Sequence, residues 1–267
     1  MKFSALKALS FSLASIALVA CTTSPTGRNQ LLLFPESQLS EMGVQAFSGM
    51  KSNIKISNKP VQNSYVQCIA DSIIKHVPTE VFDGQWEVVV FDDTQLNAFA
   101  LPGGKIGVYT GLLEVATNQH QVAAVMGHEV GHVIAQHGNE RVSQNALIGT
   151  GTQIVNQVLQ ANEVQSSGLI MSGLGLTTQY AVALPFSRTH ESEADEIGVE
   201  LMAKAGFDPR ESVQLWKNMS KASGGQSQPE FFSTHPSPQT RIEDLESKMT
   251  SAMKYYNAAP ERPDCEA

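Results

Sequence analysis

A chain of 267 residues, 42% hydrophobic and 16% charged, carries enough apolar material for one large globular core. Its formal net charge is −8, and it has no long Lys/Arg run. Phosphate contacts need clustered positive charge, so nucleic acid is not an expected partner.

The first 20 residues read as a processing signal. Lys2 and Lys7 precede an apolar stretch from Ala8 to Ala20, which is short for a bilayer span. The stretch ends in Leu18-Val19-Ala20-Cys21, which resembles a bacterial lipobox. That resemblance implies cleavage before Cys21 and lipidation there. Thr22 is not Asp, so by analogy with lipoprotein sorting the expected location is the outer membrane, periplasmic face. Cys68 and Cys265 then remain, in an oxidising compartment, as either a disulfide or two free thiols.

Residues 21–30 are polar and turn-rich and read as a tether to the lipid anchor. Pro35-Glu36-Ser37 opens a helix, and Pro60 opens a second with Val61, Tyr65, Cys68, Ile69, Ile73 and Ile74 as its apolar stripe. The run Trp86 to Phe91 reads as a strand after the Asp83-Gly84 turn. Residues 97–110 read as two short strands around Pro102-Gly103-Gly104, the proline marking an edge. A helix is expected from Gln119 to about Ser143. The uncharged, Gly-rich run around 168–186 raises a membrane question, but Thr177, Thr178 and Gln179 interrupt it. A packed or lid-like hairpin over 147–186 is the expectation. Further helices are expected from about Thr189 to Ala205, from Asp208-Pro209 to Ala222 and from Pro238 to about Met253. The tail 257–267 reads as irregular. The fold class is therefore α+β, mainly helical, with a small sheet.

His128-Glu129-Val130-Gly131-His132 fits HExxH. Residues four apart on a helix lie about 40° apart around its axis, so both imidazoles can meet one zinc ion. Glu129 lies at the rim of the same site, where it can take a proton from water. A catalytic zinc wants three protein ligands, and Glu191 of Glu191-Ser192-Glu193-Ala194-Asp195 can supply the third from a separate helix. Asp195 shares its face and can hold the outer N–H of a ligating histidine. Glu193 points away and reads as solvated or salt-bridged. His137 reads as off the site. His120 and His190 read as ordinary polar histidines.

Together with Asn97-Ala98-Phe99-Ala100-Leu101-Pro102-Gly103-Gly104 and His235-Pro236…Arg241, these motifs resemble metallopeptidase family forty-eight. Its gluzincins include the CAAX prenyl endopeptidases, OMA-like stress proteases and periplasmic BepA- and LoiP-like lipoprotein proteases. The resemblance implies a zincin fold over 31–256, in which an edge strand borders the active-site helix. It implies one zinc per chain on His128, His132 and Glu191, with Glu129 as general base. It implies an edge strand at Asn97, Ala98, Phe99 and Ala100 that binds substrate backbone by strand addition. It also implies that His235 can reach the zinc as a regulatory ligand. An oxyanion donor is required; His235 and Arg241 are both candidates.

The expected function is zinc-dependent hydrolysis of internal peptide bonds in periplasmic or outer-membrane protein quality control. Unfolded or misassembled proteins would be the substrates, with the outer-membrane assembly machinery a candidate partner. The rival is a chaperone-like assembly factor with mainly structural zinc. A complete HExxH with its glutamate argues against that rival.

Overall fold

A computed structural model describes residues 21–161, 187–222, 235 and 238–266. Its contacts divide the chain into two units, one formed by residues 36–135 with 185–267 and the other by residues up to 35 with 136–184.

In the larger unit, α1 (Glu36–Asn53) and α2 (Pro60–Ile74) precede a three-stranded sheet. Pro60 suits the first turn of α2, where its missing N–H costs nothing. Strand β3 (Glu87–Phe91) runs parallel to β5 (Lys105–Tyr109), and β4 (Ala98–Leu101) runs antiparallel to β5, in the order β3-β5-β4. The strand before Pro102 is thus an edge strand. Gly103 and Gly104 close its hairpin with φ of 85° and 67°, a left-handed turn that side chains resist.

Alternation along β4 splits its side chains. Phe99 and Leu101 join Phe47, Phe91 and Tyr109 in an aromatic cluster, while Ala98 and Ala100 face the main core. After the short α3 (Thr110–Val115) comes α4 (Gln119–Ile134), whose N-cap Asn118 accepts from Gln121 N–H at 3.0 Å. Then follow α6 (Arg188–Lys204), α7 (Arg210–Ala222) and α8 (Pro238–Ala258). Ile69 and Ile73 of α2, Met126 of α4, Met202 of α6 and Leu215 of α7 are fully buried together. A core of this kind is what the helical stripes in the sequence require.

The tail after Ala258 is irregular but fastened. A disulfide joins Cys68 of α2 to Cys265 with a Cα–Cα distance of 5.8 Å. Gln119 donates to Pro263 O at 2.9 Å and accepts from Cys265 N–H at 2.8 Å.

The smaller unit holds a hairpin of β1 (Cys21–Thr23) and β2 (Asn29–Leu31), and α5 (His137–Ala161). The segment read as a tether therefore carries secondary structure. Arg28 donates from both Nη atoms to the carboxylate of Glu140 at 2.8 and 2.7 Å, and Ser143 Oγ accepts from Leu33 N–H at 2.8 Å. A bidentate guanidinium–carboxylate pair of this kind fixes orientation.

The single helix expected over 119–143 is two. α4 ends at Ile134, Gln136 has φ 53°, and α5 starts at His137. Apolar periodicity runs through the break and does not signal it. Among the described residues no helix is long and apolar enough to cross a membrane. The signal read at 1–20 and most of the hairpin read at 147–186 lie outside the described residues.

Candidate metal centre

Helix α4 carries His128, Glu129 and His132, all buried, with Val125, Met126 and Val130 turned into the core around them. Helix α6 lies directly on α4. A Cβ built on Gly198 would sit 2.7 Å from His128 N, one on Gly127 would sit 2.7 Å from Gly198 O, and one on Gly131 would sit 2.8 Å from Ala194 O. Only hydrogen side chains let the two backbones touch like this. The contact carries Glu191, in the first turn of α6, towards the two histidines. Ser187 caps that turn by accepting from His190 N–H at 3.2 Å.

His128, His132, Glu191 and His235 each turn one donor atom to a common point, and these atoms lie within 4.8 Å of one another. His132 Nε2 is 3.1 Å from His128 Nε2, which is 3.3 Å from His235 Nδ1. Glu191 Oε1 is 3.4 Å from His132 Nε2 and 3.0 Å from His235 Nδ1, and Oε2 is 3.5 Å from His128 Nε2. Donors about 2.0–2.1 Å from a tetrahedral zinc ion lie roughly 3.3 Å apart, so the spacing and the N/O donor set fit zinc.

Behind these groups stand Asp195 and Arg241. Asp195 Oδ1 is 3.0 Å from His128 Nδ1. Arg241 donates to Asp195 Oδ2 from Nε at 2.7 Å and to Oδ1 from Nη2 at 2.5 Å. Glu129 Oε1 is buried without a hydrogen-bond partner and lies 3.6 Å from His235 Nε2.

The electrostatics follow. Burial pushes the Glu129 carboxyl up, against the pull of His235 and His128, and the net direction is upward. Burial also pushes Glu191 up, but hydrogen bonds with His128, His132 and His235 outweigh it and hold that carboxyl well below the usual range. Burial pushes Asp195 up, and Arg241 outweighs it, so the net direction is downward. Burial and Arg241 push His128 down, but hydrogen bonds to Asp195 and Glu191 prevail and raise it to about 9. Burial drives the neighbouring His132 well below its ordinary value. In the protein alone the carboxylates thus hold a proton on His128 that cation binding at Nε2 would release.

The structure brings together His128, Glu129, His132, Glu191, Asp195, His235 and Arg241. Asn97 to Ala100 lie at the sheet edge, where β4 packs on α4. Cys21 belongs to the smaller unit, and Cys68 and Cys265 fasten the tail. Glu193 is 5% exposed, so of its two expected states, solvated or salt-bridged, the solvated one does not hold. His190 is buried in α6, and His120 Nδ1 accepts from Asp208 N–H at 3.2 Å. Sequence reasoning misses Trp216, whose ring lies 3.7 Å from Arg241 Cζ, and the glycine contacts between α4 and α6. Gly127 and Gly131, four apart on α4 and each just before a motif histidine, and Gly198, three residues after Asp195, are the signal that points to the helix contact.

A family model described as Peptidase family M48 matches residues 60–249. The chain is similar to metalloendopeptidase OMA1 of Bos taurus, 32% identical over 240 residues that cover 86% of this chain and 46% of that protein. It is 40% identical to mitochondrial metalloendopeptidase OMA1 of Arabidopsis thaliana over 167 residues, 62% of this chain and 32% of that protein. It is 25% identical to the beta-barrel assembly-enhancing protease of Escherichia coli (strain K12) over 212 residues, 78% of this chain and 43% of that protein. The chain thus matches less than half the length of each of these relatives.

Proposed function

The chain belongs to peptidase family M48, and from that membership we propose that it is a zinc-dependent metalloendopeptidase. The observation that carries the reading is the convergence of His128, His132 and Glu191 beside a buried, upward-shifted Glu129. His128, His132 and Glu191 would hold the ion, which when bound polarises a scissile carbonyl and lowers the pKa of water.

The chain's own residues do the rest. Glu129 takes a proton from the attacking water and hands it to the leaving amine. A carboxyl lifted above its ordinary range suits both transfers near neutral pH. Asp195 holds Nδ1–H of His128, which leaves Nε2 free to bind. The edge strand β4, with Asn97 just before it, receives an extended peptide by strand addition and lays it along α4. Backbone pairing of this kind selects extended chain over any one side chain, which suits unfolded substrates. His235 closes the donor set and is the gate: with it in place a fourth protein group occupies the position that water needs.

In the cell we place this activity in protein quality control at the periplasmic face of a bacterial outer membrane, with Cys21 as lipid anchor. The lipobox-like run before Cys21 supports that placement. The similarity to a protease named for β-barrel assembly supports outer-membrane proteins stalled in assembly as substrates.

Metal removal tests the reading. Dialysis of the full chain against a chelator should abolish cleavage of unfolded casein, and stoichiometric zinc should restore it. Cleavage that survives complete removal of metal contradicts it, and zinc binding without any cleavage would favour the chaperone-like alternative.

A further inference from the structure

Arg241, a candidate oxyanion donor from the sequence, sits where that role is hard to perform. Its side chain is 2% exposed. Nε and Nη2 are committed to the two oxygens of Asp195, and Nη1 lies 2.8 Å from Glu191 Oε2. Its Cζ lies over the Trp216 ring, 3.7 Å from the centroid. The fork thus points at the protein side of the carboxylates.

We propose that Arg241 is a positioning residue of the metal centre: it grips Glu191 and Asp195 together, so that Glu191 offers Oε1 to the metal and Asp195 orients His128. The proposal rests on the reading of His128, His132 and Glu191 as metal ligands.

Three observations lead there. First, Glu191 and Asp195 are buried carboxylates one turn apart on α6, an arrangement that repels unless a cation lies between them. Arg241 is that cation. Second, Nη1 lies 2.8 Å from Glu191 Oε2 as an ion pair without hydrogen-bond geometry, so its charge holds that oxygen and leaves Oε1, which is 3.4 Å from His132 Nε2, to act as a single-atom ligand. Third, His128 Nδ1 lies 3.0 Å from Asp195 Oδ1 and 2.9 Å from Arg241 Nη2. With Nε2 given to the metal, Nδ1 carries the ring proton, and Asp195 Oδ1 is the neighbour that can accept it, since Arg241 Nη2 is itself a donor. Arg241 then acts on the imidazole through that oxygen. A lysine has charge but no planar fork, and it cannot span both carboxylates from a place over the Trp216 ring.

The test uses full-length wild type, Arg241→Ala and Arg241→Lys. Zinc affinity is measured by competition with a chromophoric chelator, and ligand geometry by the visible spectrum of the cobalt-substituted protein. Both variants should lose roughly 10- to 100-fold in zinc affinity, the usual cost of removing a group that orients a ligand. Their cobalt bands should shift, and added guanidinium ion should partly restore the affinity of Arg241→Ala. A purely structural arginine would lower the melting temperature of the metal-free protein yet leave affinity and spectrum unchanged in the folded fraction, which would overturn the proposal. If Arg241→Ala does not fold, Arg241→Lys decides: wild-type affinity and spectrum refute the role. Absence of zinc binding in the wild type would sink the metal-centre reading itself and this proposal with it. Wild-type binding with unchanged variants would sink the proposal alone.

Discussion

Gly198→Ala puts the α4–α6 contact to a direct test. The added methyl carbon would lie 2.7 Å from His128 N and 2.8 Å from Gly127 C, against about 3.4 Å for ordinary contact. The helices must therefore separate by about 0.7 Å at that point. Zinc–ligand distances hold within about 0.2 Å, so part of that displacement must be absorbed before it reaches Glu191, two turns away on α6. Helix propensity alone favours alanine by about 1 kcal/mol, whereas overpacking costs roughly 1–3 kcal/mol. The expected net is a loss of about 0–2 kcal/mol and a zinc affinity about tenfold lower, by analogy with other displaced ligands. Gly49→Ala, on α1 with nothing within 4 Å, is the control and should be neutral or slightly stabilising. Chemical denaturation of the metal-free proteins and chelator competition measure both quantities. A Gly198→Ala protein more stable than wild type, with unchanged zinc affinity, would refute the close-contact reasoning.

Reducing the Cys68–Cys265 disulfide releases a loop of 197 residues from the unfolded chain, worth up to about 5 kcal/mol in the loop-entropy picture. A verified loss of the bond should lower the melting temperature and speed amide exchange over 259–266; an unchanged melting curve would contradict this. His235→Ala should lower zinc affinity and raise casein cleavage, because it removes the fourth donor; if neither changes, His235 is no gate. Hydrogen bonds from Lys51, opposed by partial burial and reinforced by Lys105, lower the Glu87 carboxyl below its ordinary 4.5. A depressed carboxylate stabilises the fold above its ordinary value and loses that contribution as pH falls through the lower folded value. Wild type should therefore lose stability below about pH 4.5 more steeply than Glu87→Gln; parallel acid-unfolding curves would refute the pairing.

How much of this was legible in the sequence depends on the range of the cause. His128, Glu129 and His132 lie within one helical turn and a half, so spacing alone places them on one side of α4. Glu191 follows from coordination chemistry, since three ligands are needed and an acidic helix start stands downstream. Helix ends with a local cause were also legible: Pro60 opens α2, and Gly206, with φ 86°, follows the end of α6. The break at Gln136 was not, because a left-handed glutamine has no local signature and the apolar stripe runs across it. The pairing of Arg28 with Glu140 was equally invisible, because its partners are 112 residues apart. The same holds for Arg241. Its role depends on Trp216 and on two carboxylates of another helix, and only the fold brings these together.

The role proposed for Glu129 is proton transfer at a zinc held by its neighbours. Cleavage of unfolded casein by wild type and Glu129→Gln, each loaded and assayed for zinc, tests it most directly. One zinc per chain is expected in both proteins, with cleavage only in wild type. Equal cleavage by the two proteins at equal zinc content would contradict it.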